Sequence, residues 1–286
     1  ILFLDSINAQ SRPSIQKALN TLMPLPEHSK ALFITSAYLE KYHYRKLKLN
    51  DSLSSIVFAN YIDGLDPSKV FFLKSDFDYF EKYKFKLDDE LSAEKLDFGF
   101  QLFNLYQSRA LNRYERISEV LEKGFDFEKE EYYNLNFDEI EWAISSEELN
   151  ERWRLIMKSR ALNLLLANKD WDEVKKILLD RNERRIKSLY QNKSEDVFQV
   201  YLNALTSAYD PHTSYFSPIT SDNFQINMSL SLEGIGAVLG QQLDYTQIVS
   251  VVPGGPAFKS KQIFEKDKVI AVAQGDNGEF VDVVGW

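Results

Sequence analysis

From the start of the chain to about residue 209, apolar positions recur at helical spacing and strand-like alternation is scarce. Leu53, Ile56, Val57 and Tyr61 follow Asp51 at i, i+3, i+4 and i+8, and Gly64 supplies a stop, so a helix is predicted there. The longest stripe joins Leu96, Phe100, Phe103, Ala110, Tyr114, Ile117 and Leu121, with Ser92 as its expected cap and Gly124 as its end. Ser145 and Glu148 have the spacing of a capping box, ahead of Leu149, Trp153, Ile156 and Leu164 on one face. Asp170 is the expected cap of a helix through Trp171, Val174, Ile177 and Leu178. A last helix runs from about Glu195 to Tyr209 and stops at Asp210-Pro211, because proline disfavours the helical conformation in the residue before it.

Beyond about residue 227 the pattern changes. Six of the 11 glycines lie between Gly234 and Gly275, and β-branched residues cluster among them, notably Ile248, Val249, Val251 and Val252. Short strands broken by turns such as Pro253-Gly254-Gly255-Pro256 are predicted. The fold class expected is multidomain and mainly α: an all-α N-terminal helical domain over 1–209, a connector over 210–227, and a β module over 228–286.

Composition narrows the function classes. The 286 residues include 20 Phe and 15 Tyr, enough aromatic surface for a sizeable core. A net charge of -9 argues against a general nucleic-acid binder, which needs a basic footprint. Cysteine is absent, which removes disulfides, thiol nucleophiles and cysteine-based zinc sites. No apolar run approaches the roughly 20 residues needed to span a bilayer. The chain opens with Ile1 rather than Met, so its natural beginning is expected to lie upstream.

Motifs with chemical meaning are few. Ser14 to Lys17 and Ser92 to Lys95 match Ser-x-x-Lys, and Ser221-Asp222-Asn223 matches a second element of penicillin-recognising enzymes, but their Lys-Thr-Gly is missing. His28, His43 and His212 lack metal-ligand spacing, so surface or packing roles are expected, with no metal and no cofactor. The basic stretches Lys41 to Lys48 and Arg181 to Lys187 read as amphipathic helix faces. Gly234-Ile235-Gly236-Ala237-Val238-Leu239-Gly240 has the wrong spacing for a dinucleotide fingerprint. Its glycines allow a sharp turn that exposes consecutive amides, a nest for a carboxylate, ahead of a strand edge open to β-augmentation. A plain glycine turn between strands fits the same spacing.

Two stretches carry a family resemblance. Ala208 to Pro218, with Asp210-Pro211-His212-Thr213-Ser214-Tyr215-Phe216-Ser217-Pro218, resembles the Asp-Pro-His-Thr-x-Tyr-x-Ser-Pro signature of tail-specific, or C-terminal processing, serine peptidases. Met228 to Leu239 resembles the entry into their PDZ domain, and Val251 to Lys261 and Val281 to Trp286 continue the match in order. The resemblance implies the N-terminal region of a periplasmic serine endopeptidase. It would recognise apolar C-termini of protein substrates through the PDZ domain and cleave with a Ser/Lys dyad, the lysine acting as general base.

The family's Ser-Ala-Ser-Ala-Ser-Glu-like and Gly-Lys-Gly stretches do not occur among these residues, so a truncated PDZ-like module and no catalytic activity of the fragment alone are expected. Carried over from the family, Gly234, Ile235, Gly236 and Ala237 form the carboxylate-binding loop, Val238 and Leu239 begin the peptide-pairing strand, and Leu232 is the hinge into the domain. The helical part would shield the proteolytic centre or dock an adaptor or second subunit. A non-catalytic helical scaffold with a PDZ-like peptide-binding module is the alternative function. The Asp-Pro-His-Thr connector is taken as structural, with the Thr213 and Ser214 hydroxyls capping local backbone.

Overall fold

Asn50 caps the helix that begins at Asp51: its side-chain oxygen accepts from the Leu53 amide at 3.0 Å, satisfying an N–H that the helix itself leaves unpaired. The computed structural model describes residues 19–229, 234–242, 245–273, 275 and 278–283. The described chain is mainly helical and divides into two compact units, one ending at Ser217 and the other beginning at Pro218.

In the first unit the helices are α1 Pro26–Tyr42, α2 Asp51–Leu65, α3 Lys74–Phe80, α4 Leu87–Ser92, α5 Asp97–Glu115, α6 Ile117–Lys123, α7 Ser146–Leu166, α8 Trp171–Gln191 and α9 Ser194–Tyr209. Two apolar clusters hold them. The first gathers α1 to α4, the start of α5 and α9, and the second gathers the end of α5 with α6, α7 and α8. Helix α5 therefore passes through both: Phe98 and Phe103 lie in one, Ala110 and Tyr114 in the other. Phe98 is the hub of the first, with the rings of Phe58, Tyr83 and Tyr201 centred 5.4–5.8 Å away, a separation favourable for aromatic pairs. Gly99 lets α9 approach: a Cβ there would lie 2.5 Å from the Tyr201 ring, and the Gly99 carbonyl accepts the Tyr61 hydroxyl at 2.8 Å.

Every residue of the long stripe from Leu96 to Leu121 is buried as its periodicity predicts, but several helix ends differ from what local spacing predicts. Ser92 ends α4 rather than capping α5, and the stripe bends at Arg116, where α5 gives way to α6. Ile56 faces solvent, while Phe58 and Ile62 take the buried face of α2. That helix runs past Gly64 and stops at Asp66, whose carboxylate accepts the amides of Val70, Phe71 and Phe72 at 2.8–2.9 Å. Ser145 does cap α7, but Glu148 reaches back to the Ile144 amide rather than to Ser145. Asp170 and Glu173 make the reciprocal box at α8.

The second unit opens with helix α10 Pro218–Ser229. A three-stranded antiparallel sheet follows in the order β1-β2-β3, built from β1 Ala237–Gln242, β2 Tyr245–Val251 and β3 Lys268–Val269, with the short helix α11 Pro256–Ser260 between β2 and β3. A separate pair joins β4 Ala271–Val272 to β5 Val281–Asp282. Among its described residues only Ile248 and Ala257 are buried apolar side chains.

Candidate functional site

The glycine loop is built by two turns that lock onto each other. The carbonyls of Ile235 and Gly236 accept the amides of Ala257 and Val252 at 2.7 and 2.8 Å, so the backbone oxygens face the 252–257 turn. Gly236 has φ +73°, and a Cβ on it would meet Pro256 Cδ at 2.9 Å and Gly255 Cα at 3.1 Å. Both conformation and space therefore call for glycine. With the carbonyls engaged, the amides of Gly234, Ile235 and Gly236 have no backbone acceptor among the described residues.

Ala237 begins β1, which pairs only with β2 and so forms an edge of the sheet among the described strands. A bulge falls between Val238 and Leu239, and both side chains are half exposed. The structure thus brings Gly234, Ile235, Gly236, Ala237, Val238 and Leu239 together as a turn running into an edge strand. Leu232, the expected hinge, lies outside the described residues.

The Asp-Pro-His-Thr segment belongs to the helical unit and acts as a clasp. Asp210 caps the end of α9 in an extended conformation, φ -162° and ψ 136°, as a residue before proline prefers. Its carboxylate accepts the His212 amide at 2.8 Å and the Tyr44 hydroxyl at 2.5 Å. The Tyr44 hydrogen bond, followed by that of the His212 amide, holds the Asp210 carboxyl below its ordinary pKa. Arg45 donates to the Tyr209 carbonyl at 2.6 Å, and the His43 ring meets the Thr213 hydroxyl at 3.2 Å. Thr213 therefore binds a distant side chain rather than capping local backbone.

The stretch Lys41 to Lys48 is corrected in the same way. It leaves the helix after Tyr42, and His43, Tyr44 and Arg45 grip the segment over 209–213 instead of forming a helix face. Asn203 completes the clasp, its side-chain oxygen accepting the Tyr215 amide at 2.7 Å and its nitrogen donating to the Tyr215 carbonyl at 3.2 Å. None of these partners could be read from spacing, since they lie 12 to 170 residues apart.

His28 has a similar role at the other end of α9. It is buried, its ring stacks on Phe198 at 4.4 Å, and Nδ1 accepts the Leu25 amide at 3.1 Å. Nε2 must then carry the hydrogen, which it gives to Glu195 at 2.9 Å. Among the described residues no group of three or more His, Cys, Asp or Glu is arranged to hold a metal ion. Nor is any described helix long and apolar enough to cross a membrane.

The profile of the family described as "Tail specific protease N-terminal domain" matches residues 35–219, from within α1 to the start of α10. The chain belongs to the tail-specific protease family. A curated relative, the tail-specific protease of Haemophilus influenzae, is 38% identical over 249 residues. The match covers 87% of this chain and 36% of that protein, so the chain spans about a third of its relative's length. The tail-specific protease N-terminal domain, as matched, takes in most of both apolar clusters and the whole clasp, and it ends before the glycine loop begins.

Proposed function

We propose that this chain supplies the N-terminal helical region and the tail-capturing loop of a periplasmic serine endopeptidase. In this reading Gly234 to Ala237 bind the free carboxylate of a protein substrate through backbone amides. The edge of β1 from Val238 pairs with the extended tail, and apolar side chains of the tail lie along Val238 and Leu239. Cleavage falls to a Ser/Lys dyad outside these 286 residues. The single observation that carries the loop assignment is Gly236. It combines a positive φ with a carbonyl that accepts the Val252 amide, directly before β1, which among the described strands pairs only with β2.

Leu232, two residues ahead of Gly234, is the proposed hinge through which tail binding is relayed. Such a relay works only if the tail has different affinity for two orientations.

The test uses the full-length protein and a folded reporter in two forms, one ending in apolar residues and one ending in two aspartates. Time-dependent loss of the apolar-tailed reporter alone, slowed by Gly236→Ala, is the expected result. Equal survival of both reporters would leave a non-catalytic scaffold as the better description. Release of the protein by osmotic shock checks the periplasmic assignment.

A further inference from the structure

Helices α2, α5, α7 and α8 of the helical unit surround a cavity of about 450 Å³, a size usual for ligand sites. Phe71, Tyr106, Tyr114 and Trp153 make its walls aromatic, and Tyr133 and Phe137 close one side. Two guanidiniums share the space. Arg160, from α7, lies 6.0 Å from the Trp153 ring centroid, and Arg185, from α8, lies 6.0 Å from that of Tyr114.

Three arginines elsewhere in this unit are matched with acids, Arg109 with Asp76, Arg152 with Glu148, and Arg154 with Glu131 and Glu151, and Arg45 and Arg113 donate to neutral oxygens of Tyr209 and Asn150. Arg160 and Arg185 have no ion pair or hydrogen bond among the described residues, and Nη1 of Arg160 is buried without any partner. Burial, and then the nearby Arg185 charge, push the Arg160 pKa down. Guanidinium nonetheless stays charged in proteins, so like charges face each other here without a counter-ion. The acid that lines the cavity cannot serve. Asp66 Oδ1 accepts from Val70 and Oδ2 from Phe71 and Phe72, so its oxygens are engaged by backbone. The phenol hydroxyls of Tyr106, Tyr114 and Tyr133 also lack partners among the described residues, and burial raises the pKa of each, keeping them neutral donors.

We propose that this cavity binds a carboxylate carried on an apolar or aromatic body. Arg160 and Arg185 take the carboxylate, and Trp153, Tyr114 and Phe71 flank the body. Two planar forks match one planar carboxylate, whereas the aromatic walls offer little to replace the hydration of an inorganic phosphate. The ligand is either the last residue of a peptide or a free small carboxylate, since the chemistry is the same. The site stands on the helical unit alone and does not depend on the glycine loop.

Isothermal titration of the 286-residue chain separates these cases with four probes: N-acetyl-Ala-Phe as free acid, the same dipeptide as amide, 3-phenylpropionate and inorganic phosphate. The free acid should bind at least about tenfold more tightly than the amide, with a similar loss from Arg160→Gln or Arg185→Gln. Binding of 3-phenylpropionate as well would identify a small carboxylate as sufficient, and its failure beside a binding dipeptide acid would identify a peptide tail. Gly236→Ala should leave all of this unchanged, which distinguishes the cavity from the glycine loop. Should Arg160→Gln lower the melting temperature, the partly exposed Arg185 gives the deciding variant. Equal binding of acid and amide, preference for phosphate, insensitivity to both arginine variants, or no binding up to about 10 mM would each overturn the proposal.

Discussion

The helical unit and the β unit treat their large apolar side chains in opposite ways. In the first, two clusters remove Phe58, Phe98, Phe198, Trp153 and many aliphatic residues from water. In the second, Phe258, Phe264, Ile270 and Phe280 remain exposed while Ile248 and Ala257 are buried. Burying a large apolar side chain contributes roughly 1.5–3 kcal/mol, so cooperative stability concentrates in the helices. The β unit relies on the β1–β2 ladder and on the interlocked turns around Gly236 and Pro256, and small sheets without a covered face are marginal in water. Rigid packing therefore supports the clasp and the cavity, whereas the candidate tail loop is held chiefly by backbone hydrogen bonds.

The widest separation between the units is expected from matched phenylalanine truncations. Phe98→Ala should cost about 3–5 kcal/mol, and Phe264→Ala should change stability by no more than about 0.5 kcal/mol, both read from urea midpoints. Similar costs at the two sites would erase the contrast.

Asp66→Ala comes next. It strands three buried amides and should remove roughly 2–4 kcal/mol, again by urea unfolding, with Asp66→Asn recovering part of the loss. A neutral outcome would mean that water replaces the carboxylate and that the helical core is less dry than its geometry implies.

Glycines sharpen the comparison further. Gly99→Ala adds a methyl group against the Tyr201 ring and should lower global stability by about 1–3 kcal/mol, reversing the usual gain of alanine over glycine in a helix. Gly236→Ala should leave the global melt unchanged and instead speed proteolysis within 218–286, because its strain is confined to the β unit. If Gly236→Ala lowered the main melting transition, the two units would have to be treated as one cooperative body.

The smallest effect is the acid response of the clasp. Asp210 has its folded pKa below the unfolded value of about 3.9, so its contribution is present above that pH and is lost as pH falls through the folded pKa. The melting-temperature gap between the native chain and Asp210→Asn should therefore be full near pH 6 and shrink below about pH 4. A gap that widens on acidification would show that the Tyr44 and His212 contacts do not favour the charged carboxylate.

Much of this architecture was legible in the sequence. The stripe from Leu96 to Leu121 predicted a buried face at each of its positions, because helical periodicity is a property of neighbouring residues alone. Local caps were legible where the partner lies three residues away, as for Asp170 with Glu173. Where a competing local group exists, spacing misleads: Asp66, not Gly64, ends α2. The glycine loop was recognisable from its spacing and its family resemblance, yet spacing could not tell a carbonyl-locked turn from a plain one.

By itself, then, the sequence determined the succession of helices, the change to a β texture after about residue 227, and the family, since all of these are written in local pattern or shared motif. Only the tertiary structure decided that His43, Tyr44 and Arg45 clasp the Asp-Pro-His-Thr segment, that His28 links Leu25 to Glu195, and that Arg160 and Arg185 share a cavity whose acid, Asp66, is engaged by backbone amides. The physical reason is range. Helix propensity and capping act over a few residues, whereas the charge balance of a buried site depends on which distant side chains the packing of α2, α5, α7 and α8 brings within reach.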